Sequence, residues 1–221
     1  MSDVPFKNPA SGSERVLHHQ VYGLVERGID VMAITRDSGT GPTEYTYGKG
    51  LCEATYHANP VNPVSFLRSV LVKPRKILRQ LESIRDYSAI LSHQPFSYAA
   101  LLLRRALKAK PSIYVFHSPS HEEYQLSSEY VENFKNYLFS QIRRIVENFC
   151  VKKAGKVIVL SHYMASKVQE IHNIDSKKIR INPGGVDIKK FYPGEGRGQI
   201  KEELSLPPEH IHLLTIRNDV V

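Results

Sequence analysis

SGSERVLHHQVYGLVERGIDVMAIT, residues 11–35, joins a helix pattern to a strand pattern through a single glycine. Ser11 and Glu14 have the spacing of a capping box, which marks the start of a helix. Apolar side chains then recur at helical spacing on one face, and Gly28 predicts the end of the helix. The run IDVMAIT that follows is apolar and β-branched, as in strands buried on both faces. We therefore predict a helix over 13–27 and a strand directly after it.

Strand and helix patterns alternate along the rest of the chain, after a loop-rich segment over 36–63 with one or two short strands. Strands are predicted over 89–93, 113–117, 156–161 and 178–182, and helices over 64–87, 96–108, 126–153 and 162–171. Pro74 is expected to split the first of these helices, because proline lacks the N–H that an interior helical residue donates. Alternating strands and helices predict an α/β fold with a mostly parallel sheet and helices on both faces.

The longest predicted helix, 126–153, is defined by apolar residues that recur every three or four positions. They are Tyr130, Phe134, Leu138, Ile142, Ile145 and Phe149. This spacing places them on one stripe and predicts a single amphipathic helix.

The composition indicates a globular protein with an anionic partner. Hydrophobic residues make up 41% and charged residues 24%, and 30 Lys and Arg against 22 Asp and Glu give a net charge of +8. That charge favours a phosphorylated ligand, an acidic membrane surface or nucleic acid. No helix-turn-helix, zinc-finger or aromatic RNA-binding signature accompanies it, so we expect no nucleic-acid partner. We expect a cytoplasmic protein, with contact to the inner face of the membrane left open, because no signal-peptide or membrane-spanning run is found.

Polar residues follow the predicted strands where parallel sheets bind ligands, beyond the carboxyl ends. They are His93-Gln94-Pro95, His117-Ser118-Pro119, Ser161-His162-Tyr163 and Asn182-Pro183-Gly184-Gly185. His117 can act there as a hydrogen-bond donor, a general base or a charge stabiliser, and a structural role is an equal alternative. His117 and His121 with Glu122 or Glu123 imitate a set of metal ligands, but a strand end followed by a loop does not favour a metal site. We expect no metal.

Two further features have a functional and a structural interpretation. Gly12 begins a helix, where a missing side chain lets a phosphate approach backbone N–H groups; the alternative is a good helix start. Within 67–79, basic residues alternate with apolar ones, which fits an element lying on anionic lipid or a helix with a solvated basic face. The basic residues are Arg68, Lys73, Arg75, Lys76 and Arg79.

Five short motifs occur in a defined order along the chain. They are GSERV at 12–16, ERGIDV at 26–31, FHSP at 116–119, VIVLS at 157–161 and IRINPGGVD at 179–187, with Phe191 and Pro193 behind them. In this order they resemble the N-terminal half of family-4 glycosyltransferases of the GT-B fold. The resemblance implies a Rossmann-like domain that holds the acceptor, in an enzyme that transfers a sugar from a nucleotide donor with retention of configuration. The nucleotide sugar is then a co-substrate, and no cofactor or metal is implied.

The resemblance also implies roles for particular residues. Gly12 and Ser13 match the loop that approaches the donor diphosphate. His117 is similar to the family's active-site histidine, which lies near the reacting sugar and orients rather than acts as the obligatory base. Four residues match positions at the edge of the family's substrate cleft, namely Ser161, Tyr163, Gly184 and Gly185.

Two departures from the family pattern concern the ends of the sequence. Only Met1 to Pro9 precedes the glycine loop, so we expect the first, central strand to be absent and its neighbours to have unpaired backbone groups. We expect a first domain over 1–195 and, over 196–221, a linker and first strand of a donor-binding domain, with Arg217 as its remnant. The family's downstream lysine and paired glutamates do not follow.

Two hypotheses therefore stay open. The first is the acceptor-side half of a retaining glycosyltransferase, inactive alone, with a glycan or lipid-linked acceptor and a separate donor-binding subunit. The second is a non-catalytic module that binds anionic lipid or acidic glycan through the basic surface.

Overall fold

The computed structural model describes residues 1–2, 11–37, 41–58, 63–82, 86–102, 110–127, 131–186, 188–189, 192 and 197–207. Two compact units divide the chain, Met1–Pro183 and Gly184–Val221. The boundary predicted after residue 195 stays a prediction. Within the segment 196–221, the predicted first strand corresponds to residues 211–216, which lie outside the described residues, as does Arg217.

Helices and strands alternate through the first unit. Its helices are α1 (Gly12–Glu26), α2 (Pro63–Glu82), α3 (Pro95–Leu102), α4 (Ser120–Gln125), α5 (Phe134–Lys153) and α6 (His162–His172). Its strands are β1 (Val31–Asp37), β2 (Glu44–Gly48), β3 (Leu51–His57), β4 (Ile90–His93), β5 (Ser112–Phe116), β6 (Lys156–Val159) and β7 (Ile179–Ile181). In the second unit, α7 spans Arg197–Glu203.

A four-stranded parallel sheet, in the order β4-β5-β6-β7, confirms the predicted α/β class. Its register aligns Leu91 with Ile113 and Tyr114 with Val157. Apolar residues of β5 and β6 form a buried core with residues from α3, α5 and α6. The polar loops that follow these strands therefore meet at one edge of the sheet.

A second sheet has three strands in the order β1-β3-β2. β1 and β3 are parallel, whereas β2 and β3 form an antiparallel hairpin. The hairpin turn contains Gly50 with φ +74°, a backbone conformation that favours glycine. β2 and β3 are the one or two short strands that we expected in the loop-rich segment over 36–63.

Met1 and Ser2 lie between the two sheets. The Ser2 N–H donates to the Ile34 carbonyl of β1 at 3.0 Å, and the His93 N–H of β4 donates to the Met1 carbonyl at 2.7 Å. The Met1 amino group donates to the Leu91 carbonyl at 2.6 Å. These two residues occupy part of the central position where we expected no strand. We expected unpaired backbone groups around Val31 and around Ile90 or Ile113. The alternative of Ile113 is wrong, since its strand β5 pairs with both β4 and β6.

α2 continues through Pro74, so the expected break at this proline is wrong. The residues on either side of Pro74 are tied to neighbouring elements. Lys73 Nζ donates to the His57 carbonyl at 2.7 Å, and Arg75 Nε donates to the Ala100 carbonyl at 2.7 Å. Tertiary contacts of this kind offset the cost of a proline within a helix, about 3 kcal/mol.

α5 begins at Phe134, so the predicted start at residue 126 is wrong. Asn133 caps the helix, and its side chain accepts a hydrogen bond from the Asn136 N–H. The side chains buried on α5 are Ser140, Glu147, Cys150 and Val151. The apolar stripe that defines the helix in the sequence lies instead on its outer side, where Phe134, Leu138, Ile145 and Phe149 are exposed.

Candidate active site

Two histidines meet at the carboxyl edge of the parallel sheet. His93 is the last residue of β4, and His117 follows the neighbouring strand β5 directly. His93 Nδ1 lies 3.0 Å from His117 Nε2, and the rings are stacked with centroids 5.2 Å apart. His117 was a predicted site residue. His93 was noted only as part of a polar strand end, because its contact with His117 depends on β4 and β5 being neighbours.

Burial keeps both imidazoles neutral near pH 7. Loss of water around the ring lowers the pKa of His117 from 6.5 to about 4. Burial also holds the pKa of His93 well below its ordinary value, and His117 and the N-terminal ammonium lower it further. The short contact therefore joins two neutral rings, one of which donates an N–H to the other. Such a pair can orient a hydroxyl group, but it does not bring a positive charge to the edge of the sheet.

The turn after His93 has an uncommon backbone conformation. Gln94 has φ +69°, in the left-handed region that residues other than glycine seldom occupy. Pro95 begins α3 directly afterwards. Strain of this kind is kept where the surrounding structure holds it, and it is concentrated at functional sites. Like His93, Gln94 was predicted only as part of a polar strand end, because the sequence gives no signal for an αL residue unless it is Gly or Asn.

A buried carboxylate holds the chain that follows His117. Glu147 Oε2 accepts a hydrogen bond from the Ser120 N–H at 3.0 Å, and Glu147 Oε1 accepts one from the Tyr114 hydroxyl at 3.2 Å. His172 Nε2 lies 3.5 Å from Glu147 Oε2, and both side chains are buried. Because Ser120 begins α4, Glu147 fixes the end of the segment that starts at His117. In the sequence, Glu147 lies between two residues of the apolar stripe, and that pattern does not indicate a buried carboxylate.

The acidic residues near His117 form other contacts. Glu122 accepts a hydrogen bond from Lys167 Nζ at 3.2 Å, and Glu123 accepts one from the Ser118 hydroxyl at 3.1 Å. Burial lowers the pKa of His121, although Glu122 and Glu147 oppose that shift. Within the described part of the chain, no three His, Cys, Asp or Glu side chains form a group that could hold a metal. The expectation of no metal stays a prediction.

Ser161 and Tyr163 follow β6, the strand next to β5. The Ser161 side chain caps α6 and accepts from the Met164 N–H at 3.1 Å, which commits its hydroxyl to the start of the helix. Tyr163 is exposed. Tyr163 is therefore accessible to a ligand, and the Ser161 hydroxyl can still donate its own hydrogen.

Gly12 is the first residue of α1, and the predicted capping box forms between Ser11 and Glu14. The Ser13 and Ser11 hydroxyls lie 3.2 Å apart. A Cβ at Gly12 would meet no atom within 4 Å, so the described fold does not require glycine there. Ser2 pairs in parallel with His93, so Ser2 lies at the histidine edge of the sheet.

The remaining predicted residues belong to the second unit or to α2. Gly184 and Gly185 belong to the second unit and are exposed. On α2, Lys73 and Arg75 bond to backbone carbonyls within the fold. Three basic side chains of α2 are exposed, namely Arg68, Lys76 and Arg79. None of the helices in the described ranges has the length and apolar character to cross a bilayer.

Comparison with known proteins yields a family match and several similar structures. The model of Glycosyltransferase Family 4 matches residues 10–190. No curated protein matches the sequence. Sucrose-phosphate synthase from Thermosynechococcus elongatus aligns with TM-score 0.68 and 19% identity, over 90% of this chain and 48% of that chain.

Two further solved structures show the same fold. Trehalose-6-phosphate synthase from E. coli, bound with UDP-2-fluoro glucose, aligns with TM-score 0.54 and 10% identity, over 92% of this chain and 54% of its own. A glycosyltransferase from Rickettsia africae ESF-5 aligns with TM-score 0.51 and 15% identity, over 94% of this chain and 50% of its own. These proteins have the GT-B architecture, and the present chain spans about half of their length.

Proposed function

The chain belongs to glycosyltransferase family 4 and has the fold of about half of a GT-B enzyme, and on that premise we propose that it is the acceptor-side half of a retaining glycosyltransferase. It uses a nucleotide-sugar donor and a glycan or lipid-linked acceptor, without a metal. It works together with a donor-binding domain, and its location is cytoplasmic, peripheral to the inner face of the membrane. The observation that supports this proposal most is the contact between buried His93 and partly buried His117 at the carboxyl edge of the sheet.

Because His117 is neutral near pH 7, its role in the proposed reaction is to form a hydrogen bond rather than to act as the base. In the transfer, the bond from the anomeric carbon to the donor phosphate breaks and a bond to the acceptor oxygen forms. The acceptor proton passes to an oxygen of the leaving phosphate. An imidazole with a pKa of about 4 is a weak base near pH 7, so His117 orients a sugar hydroxyl by a hydrogen bond. His93 holds the ring in place through the 3.0 Å contact.

Gly12 and Ser13 form the approach to the donor diphosphate in this proposal. The Glu14 N–H is bonded to the Ser11 side chain, so the proposal uses the N–H groups of Gly12 and Ser13 and the partial positive charge of the helix end, which suit a phosphate. The open space beside Gly12 supports the proposal, because packing does not explain the glycine. Ser161 and Tyr163 belong to the cleft edge in this proposal, and Arg217 belongs to the donor side.

Substitution of Gly12 tests this loop. We expect Gly12→Ala to weaken binding of a nucleoside diphosphate about tenfold, since one blocked backbone approach costs roughly 1.4 kcal/mol, the order of a single hydrogen bond. The free energy of unfolding should change by less than about 1 kcal/mol, because the new methyl group meets no atom. UDP, GDP and ADP are titrated in turn and followed by NMR.

Gly23→Ala, in the interior of the same helix, is the matched control and should bind as the unaltered protein does. If Gly12→Ala and Gly23→Ala show the same affinity for every diphosphate, the proposed diphosphate loop is wrong.

The alternative function is a non-catalytic module for anionic lipid or acidic glycan. The observation in its favour is the exposure of Arg68, Lys76 and Arg79 on α2. The two functions differ in whether any partner restores sugar transfer.

A transfer assay decides between them. Candidate nucleotide sugars are supplied to the chain alone and to the chain mixed with a polypeptide that carries the donor-binding lysine and paired glutamates. We expect no transfer by the chain alone, because one domain cannot hold the leaving diphosphate beside the acceptor. Transfer by the purified chain alone would contradict the half-enzyme proposal, and no transfer in any mixture would favour the binding module.

A further inference from the structure

The outward face of α5 exposes large apolar side chains along the length of the helix. Phe134 is 81% exposed and Ile145 is 67% exposed. Tyr137, Leu138 and Phe149 are exposed as well. A surface helix normally turns its apolar stripe towards the core, but the inward side chains of α5 include Ser140 and Glu147. An exposed apolar surface of this extent is typical of a binding surface.

The charges on this face have a single sign. Lys135, Arg144, Lys152 and Lys153 are exposed on α5. The sole acidic residue in the sequence of α5 is Glu147, and it is buried. Successive residues of an α-helix are 100° apart, so Lys152 falls among the apolar residues while Arg144 and Lys135 flank them. The outward face therefore combines apolar bulk with positive charge.

The combination of apolar side chains and positive charge favours one partner for this face over another. A second copy of the chain would bring the Arg144 and Lys152 side chains of two identical faces together, which like-charge repulsion opposes. An anionic bilayer accepts both components, because apolar side chains enter the boundary between headgroups and acyl chains while Lys and Arg meet lipid phosphates. It also needs no groove, and a helix face is convex. We propose that the outward face of α5 is a docking surface for an anionic lipid bilayer.

The proposal concerns a different surface from the basic segment of α2. Two of the five basic residues of that segment, Lys73 and Arg75, are bonded to carbonyls inside the fold. The docking surface on α5 does not depend on the proposed sugar transfer, and a bilayer could hold the protein with either function.

The absence of tryptophan from the sequence allows a direct test. Ile145→Trp places one tryptophan on the docking surface, and Tyr47→Trp places one at a control position on β2 that is 69% exposed. Each variant is mixed with phosphatidylcholine vesicles carrying brominated acyl chains, with and without phosphatidylserine. We expect a blue shift and bromine quenching for Ile145→Trp with the anionic vesicles alone, weakening as salt is added. Leu67→Trp reports on α2 in the same assay.

Substitutions of the charged and of the apolar residues test the electrostatic and the apolar contributions to vesicle binding separately. Arg144→Gln and Lys152→Gln should each reduce vesicle affinity about fivefold, the effect of roughly 1 kcal/mol per basic residue at an anionic surface. In a protein that carries Phe134→Trp as the reporter, Ile145→Glu should abolish the bromine quenching. All of these positions are exposed, and circular dichroism verifies that each variant folds.

Several outcomes would overturn the proposal. They are equal quenching of Ile145→Trp by neutral and anionic vesicles, quenching of Tyr47→Trp or Leu67→Trp but not of Ile145→Trp, and unchanged affinity after Arg144→Gln. A dimer in light scattering that Ile145→Glu converts to a monomer would identify a second copy as the occupant and would also overturn it.

Discussion

Lowering the pH from 7 to 4 is expected to reduce the free energy of unfolding by about 3 kcal/mol through His117 alone. The folded protein holds the pKa of this ring at about 4, whereas an unfolded chain has the ordinary value of 6.5. Between these values the unfolded state binds more protons, so stability rises with pH. The contribution is fully present above pH 6.5 and is lost as the pH falls towards 4. His93, whose pKa is also lowered by burial, adds a loss of the same sign.

Urea unfolding at a series of pH values measures this effect, with His117→Asn as the test variant. Carboxylates contribute to acid unfolding in both proteins, so the difference between the two curves isolates the histidine. We expect the variant to lose about 3 kcal/mol less than the unaltered protein over this range. His162→Asn, which removes an exposed histidine from α6, is the control. Parallel curves for the unaltered protein and His117→Asn would show that burial of this ring is not as described.

Glu147→Ala is expected to destabilise the fold by about 3 kcal/mol or more, since a hydrogen bond to a charged group contributes roughly 1.5 to 3 kcal/mol. The substitution leaves the Ser120 N–H and the Tyr114 hydroxyl without their acceptor in a buried region. In a domain of this size, the loss corresponds to a fall in melting temperature of roughly 2 to 4 °C per kcal/mol. Glu147→Gln keeps the shape and one acceptor oxygen, so its effect should be smaller.

Glu122→Gln is the matched control for Glu147→Ala. It removes a carboxylate from a partly exposed ion pair with Lys167, and pairs of that kind contribute less than about 1 kcal/mol. Equal stability of the Glu147→Ala and Glu122→Gln variants would show that the buried carboxylate does not hold the segment after His117.

Local sequence patterns predicted the elements of the fold that depend on neighbouring residues. The capping box of Ser11 and Glu14 and the strand that ends near His117 are both where the patterns placed them. Periodicity identified α5 as a helix, but it could not tell which side faces the core. The inner side contains Glu147, whose partners Tyr114 and Ser120 become neighbours only after β5 and α5 pack together.

The parts that sequence reasoning missed depend on contacts between distant segments. His93 meets His117 because β4 and β5 pair, and no spacing rule connects residues in separate strands. Pro74 remains within a helix because contacts of Lys73 and Arg75 with other elements hold that turn. The position of Met1 and Ser2 between β1 and β4 likewise requires both sheets to be present.

Sugar transfer by the complemented protein, measured for the unaltered chain and for His117→Ala, tests the role of the histidine pair most directly. Both chains are mixed with the same donor-binding polypeptide, the same nucleotide sugar and the same acceptor, and Tyr47→Phe is the control. We predict transfer by the unaltered chain and the control, and a rate lower by roughly 100- to 1,000-fold for His117→Ala, the cost of removing one positioned hydrogen-bonding group. A folded His117→Ala chain that transfers sugar as fast as the unaltered one would contradict the assignment of this site.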